Sequence, residues 1–215
     1  MLKYTPNAEQ ECERVNVAVK RFRATGDVLW TGSRAVYRWL SANLPTTVSV
    51  LDVGCGAGFG TYLLSPRQVV GVDKNATSIA FAKSVYPRMQ WAVWDIALSP
   101  YPQQFDVVAM CEVIEHIDDW ISAIENAKAC AKSAIILTTP NRASGCVPDD
   151  HPSIAMHVRE FTMPELCRAF VDGWSVQSYA YARFGENNVN SACTFMEVAD
   201  VGPSTPMMLI ARRVP

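Results

Sequence analysis

Three groups of residues in this 215-residue chain have types and spacings that could do chemistry. Gly54, Gly56 and Gly58 alternate along the chain, with Gly60 close behind. A backbone without Cβ atoms bends tightly and lets a ligand approach closely. If such a turn opens a helix, unpaired N–H groups and positive potential collect at the same spot. Asp52 stands just ahead of the glycines, where a carboxylate suits a cationic ammonium group better than a pyrophosphate. The second group is Asp73, at the end of a short apolar run. An acid at the C-terminal end of a strand can accept both ribose hydroxyls of an adenosine, and its distance from Gly54 is about the 20 residues that role requires. The third group is Glu112, Glu115 and His116. At i, i+3 and i+4 of a helical turn they would share one face. Two carboxylates and an imidazole there could ligate a divalent ion, or serve as structural and proton-handling groups with no metal.

These residues need elements to hold them. The apolar, β-branched run into Asp52 and Val53 reads as a buried strand, and residues 61–64 suit the first turns of a helix. Residues 68–73 form a second strand and 76–86 a helix, with Asn75 available as its cap and Pro87 as its stop. Residues 89–94 alternate and then meet Asp95 and Ile96. Residues 105–110 and 134–139 are further buried strands, with a helix between them that Asp118 would cap and that would run to about Ala131. Thr162 followed by Glu165 is a capping-box pattern, with Pro164 in the first turn. Residues 174–184 and 206–213 read as the last strands. Ahead of the glycines, 9–22 and 33–44 read as helices. The first carries Val15, Val19 and Phe22 on one face; the second has Ser33 as a possible N-cap and ends at Pro45. Arg34 and Arg38, with Lys20, Arg21 and Arg23, make this region locally basic, which reads as a solvated helical face or as a contact surface for an anionic substrate.

The pattern alone permits a dinucleotide or S-adenosylmethionine. The dinucleotide fingerprint is G-x-G-x-x-G, whereas this chain has G-x-G-x-G after an acid. The string LDVGCGAGFG at residues 51–60 closely resembles motif I of class I S-adenosylmethionine-dependent methyltransferases. That resemblance implies an α/β, Rossmann-like three-layer sandwich. Its seven-stranded, mostly parallel sheet would have an antiparallel last strand inserted between strands five and six. It also implies a cofactor site of Asp52, Gly54, Cys55, Gly56, Gly58, Asp73, Lys74, Asp95, Ile96 and Cys111. Asp95 would bond the adenine amino group, Ile96 would pack on the ring, and Cys111 would lie in the fourth family motif. The glycines usual before the fifth strand are replaced here by Ala131, Lys132 and Ser133. Residues 1–45 would be an N-terminal helical lid segment and 46–215 the methyltransferase domain.

The string EVIEH at residues 112–116 resembles the E-x-x-E-H of small-RNA 3′-end and ubiquinone-pathway O-methyltransferases, where a metal holds adjacent substrate hydroxyls. It is also carried by metal-independent relatives. The runs TTPNR at 138–142 and HVREFT at 157–162 resemble a subgroup of small methyltransferases of surface-glycan and secondary-metabolite pathways. In that subgroup the histidine reaches the methyl acceptor, which makes His157 a candidate general base, with His116 and Glu112 as the other catalytic candidates; imidazoles ordinarily titrate near the working pH. Arg159 would pair with an anionic substrate or with Glu160. His151, before Pro152, reads as structural, or as a further metal ligand.

Composition narrows the partners. A hydrophobic fraction of 49% with 19% charged residues suits a globular domain. The net charge of −2 gives no general attraction to nucleic acid. No apolar run reaches the roughly 18 residues of a spanning helix, and the first residues lack a signal peptide's apolar core. The seven cysteines are scattered and form no C-x-x-C pair, which implies reduced thiols and a cytoplasmic setting. Neither a Pro-Cys nucleophile nor an N-P-P-Y clamp is present, which argues against a nucleic-acid base as acceptor.

Three readings follow. The first is transfer of the methyl group of S-adenosylmethionine to a hydroxyl or amine of a small molecule or sugar. The second is a metal-assisted O-methyltransferase acting on a vicinal diol or an RNA 3′-terminal ribose, with Glu112, Glu115 and His116 as ligands. The third is an inactive cofactor-binding partner subunit, against which the intact acids Asp52, Asp73 and Asp95 speak.

Overall fold

The computed structural model describes residues 31–141, 157–183, 193–197 and 207–214. The expected helix at 9–22 and the region of His151 lie outside them. The chain divides into two compact units, one running through Asp95 and the other continuing from Ile96 to Ala182 and again from Thr194.

In the first unit the described elements are α1 (Thr31–Asn43), β1 (Val50–Val53), α2 (Phe59–Leu63), β2 (Val69–Asp73), α3 (Ala76–Val85) and β3 (Gln90–Val93). β2 pairs in parallel with both β1 and β3, in the register Asp52↔Gly71 and Val72↔Ala92. All four residues of β1 are buried, as a central strand of a covered parallel sheet requires. α1 starts at Thr31, so Ser33 lies inside the helix and does not cap it. Asn75 does cap α3, its side chain accepting from the Thr77 and Ser78 amides. Buried Arg67 ties α1's C-terminal end to the turn after α2: its Nε donates to the Pro45 carbonyl (3.0 Å), its Nη1 to Leu64 (3.0 Å) and its Nη2 to Ser41 (2.7 Å). Those carbonyls include ones a helix end leaves unpaired.

The second unit holds β4 (Phe105–Cys111), a 3-10 turn (Ile114–His116), α4 (Trp120–Cys130), β5 (Ala131–Thr139), α5 (Met163–Arg168), β6 (Trp174–Arg183), β7 (Cys193–Glu197) and β8 (Met207–Arg213). Its strand order is β4-β5-β8-β6-β7. β4 and β5 are parallel, and β8 runs antiparallel between β5 and β6, with Leu137↔Leu209 on one side and Ser178↔Leu209 on the other. That is the antiparallel insertion the sequence implied. β7 was not expected; it adds a strand beyond β6. α4 passes directly into β5 at Ala131, which explains how the chain does without the customary glycines there. The cap of α4 is Asp119, not Asp118: its side chain accepts from the Ser122 amide at 3.1 Å. No helix among the described residues is long and apolar enough to cross a membrane.

Candidate cofactor cradle and acid–imidazole cluster

The glycine turn in the first unit is built from three successive left-handed glycines, Gly54 (φ 68°), Gly56 (φ 53°) and Gly58 (φ 83°). L-residues pay a steric cost there, so the alternation is a backbone requirement. The Gly56 amide donates to Asp73 Oδ2 at 2.8 Å, and the Asn75 amide donates to Asp73 Oδ1 at 2.8 Å. Asp73 is thus fixed at the end of β2 and tied to the turn, half-buried, where an adenosine's ribose would be read. The Trp94 amide donates to the Asp73 carbonyl at 3.0 Å, which carries β3 toward half-buried Asp95. Lys74 is exposed, and Cys55 is buried with its thiol pushed well up by desolvation and by the charges of Asp52 and Asp73.

Asp52 is held differently from Asp73. It is fully buried, and both oxygens are occupied: Tyr37 donates to Oδ1 at 2.8 Å and Thr61 Oγ1 donates to Oδ2 at 2.5 Å. None of its surface is open to contact, so its charge reaches beyond the turn only as a field. Burial pushes its pKa up to about 7, against the pull of the Thr61 and Tyr37 bonds. The sequence marks Tyr37 as a packing residue of its helix and Thr61 as the start of the next one, but nothing in it ties either to Asp52. Tyr37 is brought in by α1, and Thr61 by the single turn that follows the glycines.

In the second unit, Ile96 and Cys111 are both buried. The Ile96 carbonyl accepts from Asn126 Nδ2 at 2.7 Å. Cys111 ends β4 in register with Thr138. Glu112 follows in the left-handed region at φ 57°, its amide bonded to the Thr138 carbonyl at 2.9 Å. Non-glycine residues in that region often mark functional sites. Because Glu112 sits there, the expected single helical face breaks. Only Glu115 and His116 lie in the 3-10 turn.

The third member of the cluster arrives from elsewhere in the chain. The Val158 and Arg159 amides both donate to the Glu115 carbonyl, at 2.8 and 3.3 Å. This brings His157 in, so that ligating atoms of Glu115, His116 and His157 all lie within 4.8 Å of one another. The His116 and His157 rings meet edge to face at 5.1 Å. His157 Nδ1 lies 3.0 Å from Glu160 Oε1, with both side chains buried. Glu115 is buried; its Oε2 accepts from Thr139 Oγ1 at 3.0 Å, and its carboxyl is pushed well up by desolvation first and by Glu112 second. Arg159 pairs with Glu165 at 3.0 Å, not with Glu160. Glu160 is turned to His157 and unavailable to it.

Residues 30–180 match the family model described as a methyltransferase domain. A chain of Mycobacterium tuberculosis named a probable S-adenosylmethionine-dependent methyltransferase is 34% identical over 144 residues, which are 65% of this chain and 52% of that protein. A ubiquinone biosynthesis O-methyltransferase of Rhodopseudomonas palustris is 33% identical over 114 residues, covering 47% of this chain and 43% of that one. The chain therefore spans about half the length of the curated relatives it matches. Among solved structures, an N-methyltransferase of Bradyrhizobium japonicum in complex with S-adenosyl-L-homocysteine aligns with a TM-score of 0.66 at 16% identity, covering 98% of this chain and 100% of that one. A methyltransferase of Thermotoga maritima aligns with a TM-score of 0.68 at 16% identity, covering 94% and 98%. At those identities the likeness establishes the fold: the α/β, Rossmann-like, mostly parallel sheet with antiparallel late strands.

Proposed function

The chain belongs to the methyltransferase-domain family, and from that premise we propose that it moves the methyl group of S-adenosylmethionine to a hydroxyl or amine of a small molecule or sugar. The bound cofactor supplies an electrophilic sulfonium methyl, so the protein's work is alignment, a dry pocket and removal of the acceptor's proton. The glycine turn, Asp73 and Asp95 hold the nucleoside, and Asp52 lends negative charge behind the amino-acid end. His157 takes the acceptor proton. The thiols Cys55, Cys111, Cys130 and Cys167, none in a disulfide, suit a reducing cytoplasmic setting.

The observation that carries this reading is the buried His157–Glu160 pair at 3.0 Å. A carboxylate on Nδ1 fixes an imidazole's tautomer and leaves Nε2 as the accepting nitrogen. Transfer to a panel of hydroxyl and amine acceptors tests it. His157→Gln should lower the rate about 100-fold or more, the scale of a general base, with S-adenosylhomocysteine affinity unchanged. An unchanged rate would remove His157 from the chemistry. A wild type that binds neither S-adenosylmethionine nor S-adenosylhomocysteine would sink the enzyme reading altogether.

One observation favours a second reading, metal-assisted transfer to a vicinal diol or an RNA 3′-terminal ribose. The clustered atoms of Glu115, His116 and His157 form a carboxylate-and-imidazole donor set suited to a divalent ion. Glu112, beside Glu115, is the fourth group that would hold it, and Glu160 on the far nitrogen of His157 is the outer-shell partner such ligands usually have. The ion would supply a lowered pKa to a bound hydroxyl. Titrating Mn²⁺ into the protein with no cofactor present decides between the readings. A binding heat abolished by Glu115→Ala supports the metal; its absence leaves the first reading.

A further inference from the structure

The cofactor reading leaves one buried group without a contact of its own. Asp52 lies under the glycine turn, in register with Gly71 on β2, and none of its surface reaches solvent. Two hydroxyls hold it. Thr61 is part of the turn's own helix and would be near in any case. Tyr37 comes from α1, fifteen residues earlier in the chain, and its ring packs on Gly60 so closely that a Cβ there would sit 2.2 Å from Tyr37 Cε2. Tyr37 is 5% exposed, so its hydroxyl is committed to the interior and to Asp52.

We propose that Tyr37 is a positioning residue for the amino-acid end of the cofactor, acting through Asp52. The proposal rests on the S-adenosylmethionine reading. Tyr37 and Thr61 each donate a hydrogen bond to the carboxylate form of Asp52, and a hydrogen bond to the charged form favours that form. The groups facing Asp52 are Tyr37 from α1, Thr61 from α2, and Asp73 from β2, with Cys55 in the turn between. Asp73 opposes ionisation, as burial does; among the described residues only the two hydroxyls favour it. Deleting either hydroxyl therefore pushes the Asp52 carboxyl further up and leaves less negative charge behind the site at neutral pH. A ligand carrying an ammonium group feels that loss. A ligand that lacks the amino-acid end does not.

Calorimetric titration at pH 7 of S-adenosylmethionine, S-adenosylhomocysteine and 5′-methylthioadenosine, which lacks the amino-acid end, tests this on wild type, Tyr37→Phe and Thr61→Val. Both variants keep their side-chain shape, and thermal melts confirm that they are folded. The expected result is an affinity loss of about fivefold for the two amino-acid ligands, the fall in ionised Asp52 from about a half to about a tenth that follows when a pKa near the working pH rises by one. 5′-Methylthioadenosine should bind as it does to wild type, and the loss should narrow as the pH is raised past the shifted value and Asp52 ionises again. Equal weakening of all three ligands would make the hydroxyls structural and overturn the proposal, as would unchanged affinity or melts lost in both variants. A wild type that binds 5′-methylthioadenosine no better than it binds the other two, and binds none of them, would instead sink the cofactor reading itself.

Discussion

Asp52 shows how one residue's surroundings decide its role. A carboxylate in water titrates near 4; here burial raises it to about 7. The folded chain therefore holds a proton that the unfolded chain has lost over the range from 3.8 to about 7, and stability falls as pH rises through that window. Asp52→Asn keeps the shape and removes the titration. Urea unfolding of the two proteins at pH 5, 6 and 7 should give curves that diverge with pH, the variant gaining on wild type as Asp52 becomes costly to ionise. Parallel curves would mean that Asp52 titrates normally. The sequence made this acid conspicuous but not its surroundings. Spacing identifies a carboxylate before a glycine turn; it does not reveal that a tyrosine fifteen positions earlier will cover one of its oxygens. Asp73 was legible for the opposite reason. Its partners, the amides of Gly56 and Asn75, are set by the strand-turn geometry the motif itself encodes. The acid–imidazole cluster was half legible. Glu115 and His116 are neighbours in sequence, but Glu112 at φ 57° leaves the helical path, and His157 is delivered by backbone bonds to the Glu115 carbonyl. No periodicity predicts either.

Among the elements, the glycine turn gives the sharpest contrast. Gly56 and Gly58 are both left-handed, yet a Cβ on Gly56 meets nothing within 4 Å, while one on Gly58 would lie 2.5 Å from the Trp91 ring. Gly56→Ala should cost only the backbone term, about 1–2 kcal/mol. Gly58→Ala adds an overlap with Trp91, a side chain pinned by its bond to the Tyr86 carbonyl at 3.1 Å, and should cost about 1–3 kcal/mol more. Chemical denaturation ranks them, and equal losses would mean that Trp91 yields. Element boundaries were less legible than element identities. Asp118 and Asp119 are chemically alike, and only the direction in which the chain enters α4 decides which one reaches the Ser122 amide. Thr162 and Glu165 were readable because the box closes within one turn: Glu165 Oε2 accepts from the Thr162 amide at 2.7 Å and from its hydroxyl at 2.9 Å. β7 escaped notice because Cys193–Glu197 has no clean alternation, Phe195 and Met196 standing side by side.

For the molecule as a whole, the last strand is where chain order and sheet order disagree. β8 is the final element in sequence but sits between β5 and β6, and its residues Met207, Met208, Leu209, Ile210 and Ala211 are all buried. β5 and β6 thus depend on a segment that arrives after everything else, and their pairing is long-range by construction. Ending the chain at residue 205 would leave β5 and β6 each with an unpaired edge, and β5 is apolar over Ile135, Ile136 and Leu137. Such edges pair with other chains. The truncated protein should therefore go to the insoluble fraction. A chain ended after Arg213, which completes the register with Trp174, should stay soluble and keep the wild-type far-ultraviolet spectrum. Sedimentation of the two truncations beside the full chain reads this directly. A soluble chain lacking β8 would mean that β5 and β6 close on each other without it, and the antiparallel insertion would then be an addition to the second unit's core instead of its central tie.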